Sequence, residues 1–68
     1  MNTFYGIKTK IFDNGKIEVS RITAESYDKP ENIIAENHSC DLYVDWFESK
    51  MAADLFFADA LAEGAKVV

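Results

Sequence analysis

The sequence predicts an α+β fold in which three antiparallel strands (β-β-β-α) precede one C-terminal helix packed on one face of the sheet. Three observations support this order. Apolar and polar residues alternate in residues 3–12 and 40–47, an Asn-Gly pair follows the first of these segments, and an Ala-, Leu- and Phe-rich segment ends at a glycine. A chain of 68 residues has the size of one domain, so residues 1–68 are taken as a single domain.

The first two strands are predicted to form a hairpin. Residues 3–12 place β-branched and aromatic side chains on alternating sides, and Asn14-Gly15 follows. Asn-Gly favours a type I′ turn, because both residues tolerate a positive φ angle. Residues 16–25 are therefore the predicted return strand.

The return strand contains a change of phase. Ile17 and Val19 occupy odd positions, whereas Ile22 and Ala24 occupy even ones. Because side chains alternate strictly along a strand, the apolar set changes face near Ser20. We expect a β-bulge at this point; the alternative is that both faces of the strand meet apolar surface.

The centre of the chain is predicted to be a loop followed by the third strand. Residues 27–39 are rich in polar residues and include Pro30, which disfavours helical angles in the residue before it. Ile33 and Ile34 are expected to tether this loop to the core. Residues 40–47 alternate again and are the predicted third strand.

The C-terminal helix is predicted over residues 50–63, with Ser49 as its N-cap and Gly64 as its stop signal. At 100° per residue, the helix has two apolar sides. The first side contains Met51, Leu55, Ala58, Ala62 and Ala65, and the second contains Ala53, Phe56, Phe57, Ala60 and Gly64. A helix lying on a sheet needs only one apolar side, so the other requires an explanation.

We expect the apolar surplus to be buried in a homo-oligomer, most simply a C2 dimer. The predicted interface is the helix side formed by Ala53, Phe56, Phe57 and Ala60, or the strand face that bears Tyr43 and Phe47. The alternative is a monomer in which residues 27–39 fold over one of the apolar faces.

Composition limits the possible functions. The net charge is −5, and it is uneven: residues 1–21 carry +2 and residues 22–68 carry −7. A net-acidic chain is a poor match for nucleic acid, whose binding depends mainly on Lys and Arg. The single cysteine, Cys40, excludes a disulfide within the chain, and with His38 it provides too few ligands for a structural zinc. No cofactor or metal is expected.

The expected location is the cytoplasm. The N-terminal sequence MNTFYGIKTK lacks the apolar core of a secretory signal, and no apolar run approaches the roughly 20 residues that span a membrane. An unpaired cysteine also suits a reducing compartment.

The sequence predicts a protein that binds rather than catalyses. His38 and Cys40 are the only residues that resemble a nucleophile and its base, and Asp41 would point away from both. Asp41 and Asp45 start roughly 13 Å apart on a strand, too far for a glycosidase carboxylate pair. No glycine-rich phosphate loop or hydrolase motif occurs.

Three segments are similar to those of small uncharacterised proteins of bacterial prophages and mobile elements. They are the opening FYGIKTKIFDNGKIEV, the loop YDKPEN and the strand–Ser–helix segment DLYVDWFESKMAADLFFADA, which together cover most of the chain. The resemblance implies a genetic context but no activity.

We expect an inhibitor or adaptor that docks on a basic protein surface, as phage-encoded anti-CRISPR and anti-restriction proteins do. The predicted contact residues alternate along one strand face: Asp41, Tyr43, Asp45 and Phe47. One alternative is a self-associating structural or accessory protein. A second is a nucleic-acid binder that uses the lysine-bearing hairpin, with Phe4 and Phe12 as stacking platforms.

Overall fold

The structure, a computed structural model, describes residues 1–68 and contains five strands and one helix. Their bounds are β1 Asn2–Phe12, β2 Ile17–Ser26, β3 Ile33–Glu36, β4 Cys40–Phe47, α1 Lys50–Ala62 and β5 Lys66–Val67. The strands form one mixed sheet in the order β3-β4-β1-β2-β5, in which only the β2–β5 pair is parallel. The α+β class, the three predicted strands and the helix are confirmed, but the sheet is larger than predicted.

The β1–β2 hairpin is present, although its turn is not of the predicted type. Residues 13–16 connect the two strands. The Phe12 N–H donates to the carbonyl of Lys16 at 2.8 Å, and the Gly15 N–H donates to the carbonyl of Phe12 at 2.9 Å. Gly15 has a φ of 86°, whereas no other residue type in the chain has a positive φ. A type I′ turn would need a positive φ at Asn14 as well. Instead, the Asn14 Oδ1 accepts a hydrogen bond from the Lys16 N–H at 3.0 Å.

The predicted bulge in the second strand is absent. The β1–β2 register runs without interruption from the Asn2–Ser26 pair to the Ile11–Ile17 pair. Ile22 therefore points to the opposite face from Val19. The phase change in the sequence reflects apolar contacts on both faces of β2, which was the alternative explanation.

The predicted loop 27–39 contains the edge strand β3, and it does not fold over either face of the sheet. Ile33 and Ile34 do not tether it to the core, because both side chains are exposed. The segment is held by hydrogen bonds along the edge instead. The Asn32 Oδ1 accepts from the backbone N–H of Trp46 at 2.8 Å, and β3 pairs with β4 in antiparallel register.

The helix begins and ends as its sequence predicts. The Ser49 hydroxyl accepts from the Ala52 N–H at 3.1 Å, and Gly64 has a φ of 98° after the last turn. The N–H groups of Gly64 and Ala65 donate to the carbonyls of Leu61 and Ala60, which is the Schellman arrangement. This stop directs the chain into β5. The helix lacks the length and apolarity that a bilayer-spanning segment needs.

The second apolar side of the helix lies against the sheet of its own chain. Ala53 and Phe57 are buried with Ile7, Val19 and Ala65, and Ala60 packs against the edge of this cluster. The prediction that Ala53, Phe56, Phe57 and Ala60 form an oligomer interface is therefore wrong for Ala53 and Phe57. Because the sheet needs one apolar helix side, the side that contains the larger side chains, Phe56 and Phe57, is the one that packs.

The other face of the sheet has no helix over it. Phe4 and Val44 are nevertheless buried, and Gly6 lies beneath neighbouring side chains. A Cβ atom at Gly6 would approach Ile22 and the Trp46 ring to 2.8 Å. Glycine is therefore required at this position so that the Ile22 and Trp46 side chains can pack over the strand.

Arg21 joins the sheet to one flank of the helix. Its guanidinium lies 4.3 Å from the centre of the Phe57 ring and 3.4 Å from Asp54, which also accepts from Lys50 at 2.9 Å. The hydrogen bond from Lys50, followed by the charges of Lys50 and Arg21, lowers the pKa of Asp54 below its ordinary value of 3.8, against the opposing effect of desolvation. On this flank of the helix, the positive charges of Lys50 and Arg21 therefore compensate the negative charge of Asp54.

Truncation of the two helix sides should have very different effects. Phe57→Ala should destabilise the protein by about 3–5 kcal/mol, since it leaves a cavity beside Val19. This loss approaches the whole stability expected of a chain of this size. Leu55→Ala, on the exposed side, should change the free energy of unfolding by about 0.5 kcal/mol or less in dilute solution. Urea unfolding followed by circular dichroism measures both; equal effects would contradict the observed packing.

The contribution of Asp54 should depend on pH. A carboxyl whose pKa is lowered by folding stabilises the folded state above its ordinary pKa, and this contribution is lost as the pH falls through the folded value. Asp54→Asn should therefore lower the urea midpoint at neutral pH, and its difference from the wild type should vanish in the acid range below 3.8. Asp28→Asn, which removes a loop carboxylate without an ion pair, is the control. A difference for Asp54→Asn that is constant across pH would contradict the role of the ion pairs.

Candidate functional site

A groove runs between the C-terminal half of α1 and the sheet, near the end of the β1–β2 hairpin. It consists of two adjoining hollows of about 370 and about 260 Å³, which share Thr9, Ile11 and Phe56. We call it the acidic groove. Its lining residues are Thr9, Ile11, Ile17, Tyr43, Asp45, Phe56, Asp59, Ala60 and Glu63.

The groove exists because the helix carries small or polar side chains where it passes over this part of the sheet. Ala60 contributes only a methyl group above the strands, and Phe56 turns toward Phe47, with ring centres 5.3 Å apart. Ile11 and Ile17 face each other across the hairpin and form an apolar floor. Ile11 remains partly exposed as a result.

Carboxylates surround this apolar floor without cationic partners. Asp45, Asp59 and Glu63 line the groove, and no Lys or Arg does. Asp41 lies on the same sheet face, two residues before Tyr43 on β4, and pairs with Ile11 in the β1–β4 register. The ion pairs of the chain use other acids, Glu18 and Asp54. The groove is therefore negative and unneutralised by the protein itself.

Two of these carboxylates are placed where they disfavour the helix. Asp59 and Glu63 are four residues apart, and like charges at this spacing repel each other. They also lie at the C-terminal end of the helix, whose last turn contains no basic residue. The helix dipole is negative at that end and favours cations. A cation bound from outside would relieve both effects.

The floor also contains an unsatisfied polar atom. The Thr9 Oγ1 is buried and has no hydrogen-bond partner within the protein. Thr9 pairs with Val19 on one side and Tyr43 on the other. A buried hydroxyl without a partner costs free energy in the folded protein.

The predicted contact residues are only partly brought together. Tyr43 and Asp45 line the acidic groove, and Asp41 lies on the same face. Phe47 is half-buried and packs on Phe56, so it supports the wall of the groove. The alternation of these four residues along one strand face is confirmed by the β1–β4 register.

Asp59 and Glu63 were not predicted as site residues, and neither were Thr9, Ile11 and Ile17. The i,i+4 spacing of two acids next to a helix stop was the available signal for the first two. The other three alternate like ordinary core positions in the sequence. Thr9, Ile11 and Ile17 line an open groove because the helix does not fill the space above them.

The remaining candidate residues lie elsewhere. His38 is exposed in the turn between β3 and β4, where the Asn37 Oδ1 accepts from the N–H groups of Ser39 and Cys40 at 3.0 and 2.9 Å. No group of three His, Cys, Asp or Glu side chains is arranged to hold a metal ion. Phe4, expected as a stacking platform, is only 5% exposed and does not offer its ring to a base.

Replacing the unsatisfied hydroxyl should stabilise the free protein. Thr9→Val keeps the shape of the side chain and removes the buried oxygen, so we expect the free energy of unfolding to rise by about 1 kcal/mol. Thermal and urea unfolding measure this change. Thr23→Val, at an exposed position of β2, is the matched control and should have little effect. A loss of stability in Thr9→Val would show that the hydroxyl is already satisfied.

Comparison of the chain with protein-family models, with curated proteins and with solved structures gives no match.

Proposed function

We propose that this protein is a binding domain that receives a basic segment of another protein in the acidic groove. The observation that carries the proposal is the ring of unpaired carboxylates around an apolar floor. The segment would place one large apolar side chain over Ile11 and Ile17 and basic side chains beside Asp45, Asp59 and Glu63.

The two parts of the groove have different tasks in this proposal. Exposed ion pairs contribute about 0–1 kcal/mol each, so the carboxylates mainly steer and orient the partner. Most of the affinity comes from apolar burial and from an aromatic anchor. Tyr43 is suited to be this anchor, because it lines the groove, pairs with Thr9 across the strands and shares a strand face with Asp45.

The cost that the free protein bears supports binding over a purely structural role for these residues. Repulsion between Asp59 and Glu63 and their position at the negative end of the helix dipole both oppose folding. Natural proteins retain such unfavourable features mainly at functional sites.

A protein of this kind can act as an inhibitor. Basic surfaces that bind nucleic acid present Lys and Arg side chains to the phosphates. The carboxylates of the acidic groove can bind such side chains instead, and this would block the surface for nucleic acid. This is our proposal for the biological role: a non-enzymatic inhibitor or adaptor that docks on a basic protein surface, in the prophage or mobile-element context that the resemblance implies.

Selection from a random peptide library displayed on phage tests the chemistry of the partner. We expect enriched peptides to contain Lys or Arg on both sides of a large apolar residue. Their affinity should fall as salt rises, since the Debye length shrinks from about 10 Å at 0.1 M to about 3 Å at 1 M. Enrichment of acidic peptides, or binding that is indifferent to salt, would contradict the proposal.

Variants of the groove then locate the binding. Tyr43→Ala should weaken a selected peptide by about 30-fold or more, mainly through a faster off-rate. Asp45→Asn should weaken it by about 5-fold or less. Glu31→Gln removes the same charge from an exposed position in the loop and should have no effect. Surface plasmon resonance measures the rates. Equal losses in Asp45→Asn and Glu31→Gln would show that only net charge matters and would exclude the groove.

A further inference from the structure

The outer edge of β2 is open over most of its length. β2 lies between β1 and β5 in the sheet, but β5 pairs only with Glu18 and Val19. No element of the chain pairs with the outer side of residues 20–26. This edge contains no proline and no bulge, so it lacks two of the features that usually prevent another strand from adding to an edge. We call residues 21–25 the open edge.

The hydrogen bonds around β2 show which backbone groups this edge presents. The Phe12 N–H donates to the carbonyl of Lys16, which faces it across the hairpin, so even-numbered residues of the return strand bond to β1. Odd-numbered residues point their backbone groups away from β1. The Val19 carbonyl accordingly accepts from the Val68 N–H at 3.0 Å. At the open edge, the outward N–H and carbonyl groups are those of Arg21, Thr23 and Glu25.

A second copy of β2 is complementary to this edge in the antiparallel direction. When a twofold axis passes between the two Thr23 residues, Arg21 of each copy faces Glu25 of the other. The facing residues are those whose backbone groups point outward, so each facing pair can exchange two backbone hydrogen bonds. On the uncovered face of the sheet, Ile22 then faces Ala24, which places a large side chain beside a small one.

The charges at the open edge are complementary in this register. Glu25 is exposed, and its carboxylate forms no ion pair in its own chain. The Arg21 side chain is 54% exposed and forms one ion pair, with Asp54, so other N–H donors of its guanidinium remain free. Opposite charges at facing positions stabilise a pair of strands. The twofold axis would create this arrangement at both ends of the open edge.

The edge of the sheet formed by β3 lacks this complementarity. Its outward backbone groups belong to Ile34 and Glu36, because the alternate residues bond to β4. β3 contains no cation, so no pairing of β3 with its own copy gives the Glu36 carboxylate an opposite charge. The charge pattern therefore favours the open edge of β2 as the site where two copies meet.

We propose that the protein forms a C2 homodimer in which the two open edges pair and join the two sheets into one. The backbone hydrogen bonds determine the strand direction, and the Arg21–Glu25 pairs determine the register. The acidic groove remains accessible, because Ile17, the only β2 residue that lines it, lies at the other end of the strand. The contact is confined to residues 21–25 of each copy, so the dimer is of the transient class.

Sedimentation equilibrium from about 10 μM to about 1 mM tests the dimer. We expect the mass to rise from 7.7 kDa toward twice that value. Thr23→Pro removes the N–H at the centre of the open edge and should abolish the rise. Because this N–H points outward, no hydrogen bond within the chain is lost, and circular dichroism should show an unchanged fold.

Ile34→Pro is the matched control for the backbone variant. It removes an outward N–H from the other edge of the sheet and should leave the rise in mass intact. A constant mass of 7.7 kDa for the wild type would overturn the proposal. So would a rise that Ile34→Pro abolishes and Thr23→Pro does not.

A charge reversal tests the register without changing the backbone. Glu25→Arg places a second guanidinium opposite Arg21 at both ends of the open edge, so we expect the dimer to weaken by about tenfold or more. Glu31→Arg changes the net charge by the same amount at an exposed loop position and should not weaken the dimer. Equal losses in the two variants would exclude the Arg21–Glu25 register.

Amide exchange with water, measured by NMR, locates the contact in the wild-type protein. When the concentration rises from about 50 μM to about 1 mM, exchange at Arg21, Thr23 and Glu25 should slow by about threefold, because these N–H groups become hydrogen-bonded in the dimer. Exchange at Ile34 and Glu36 should not change. Slowing confined to these two residues, or slowing at no amide, would contradict pairing through the open edge.

Discussion

One short helix has to cover a sheet of five strands, and most features of this protein follow from that constraint. Thirteen helical residues extend about 20 Å. The buried cluster around Ile7, Val19 and Phe57 lies where the helix and the central strands meet. Beyond it, the sheet has apolar residues that no element of the chain covers. Only eight of the 68 residues are buried as a result.

Electrostatics divides the two flanks of the helix. On one flank, Arg21 and Lys50 compensate Asp54, and the guanidinium covers the Phe57 ring. On the other, Asp59 and Glu63 have no cation and lie above an apolar floor. The net charge of −5 is therefore not spread evenly as a solubilising shell. A part of it is concentrated around the acidic groove.

The sequence was sufficient to predict the elements whose signals are local. The alternation in β1 and β4, the Ser49 cap and the Gly64 stop each depend on neighbouring residues, and all are present in the structure. The edge strands β3 and β5 could not be predicted, because four and two residues carry no periodic pattern and pair only where a neighbouring strand offers an open edge. The turn type also depended on Asn14 using its side chain to bind the Lys16 N–H, which composition does not reveal.

The candidate site was predictable in part. Tyr43 and Asp45 were identified because they alternate on one strand, and they do line the groove. The helix side expected to be an interface is instead the buried side. Amphipathic patterning shows that two apolar sides exist, but the choice between them depends on which one fits the sheet. Thr9 could not be recognised, since an unsatisfied hydroxyl is visible only when all its neighbours are placed.

The most direct test of the acidic groove is to map a bound basic peptide by ¹H–¹⁵N NMR titration of the wild-type protein. We predict that the amide shifts concentrate at Thr9, Ile11, Phe56 and Glu63, and that the amides of Phe4 and Ala24, a pair at the far end of the hairpin on the uncovered sheet face, remain unchanged. Shifts confined to the uncovered face, or spread evenly over all acidic residues, would contradict the assignment of the groove as the binding site.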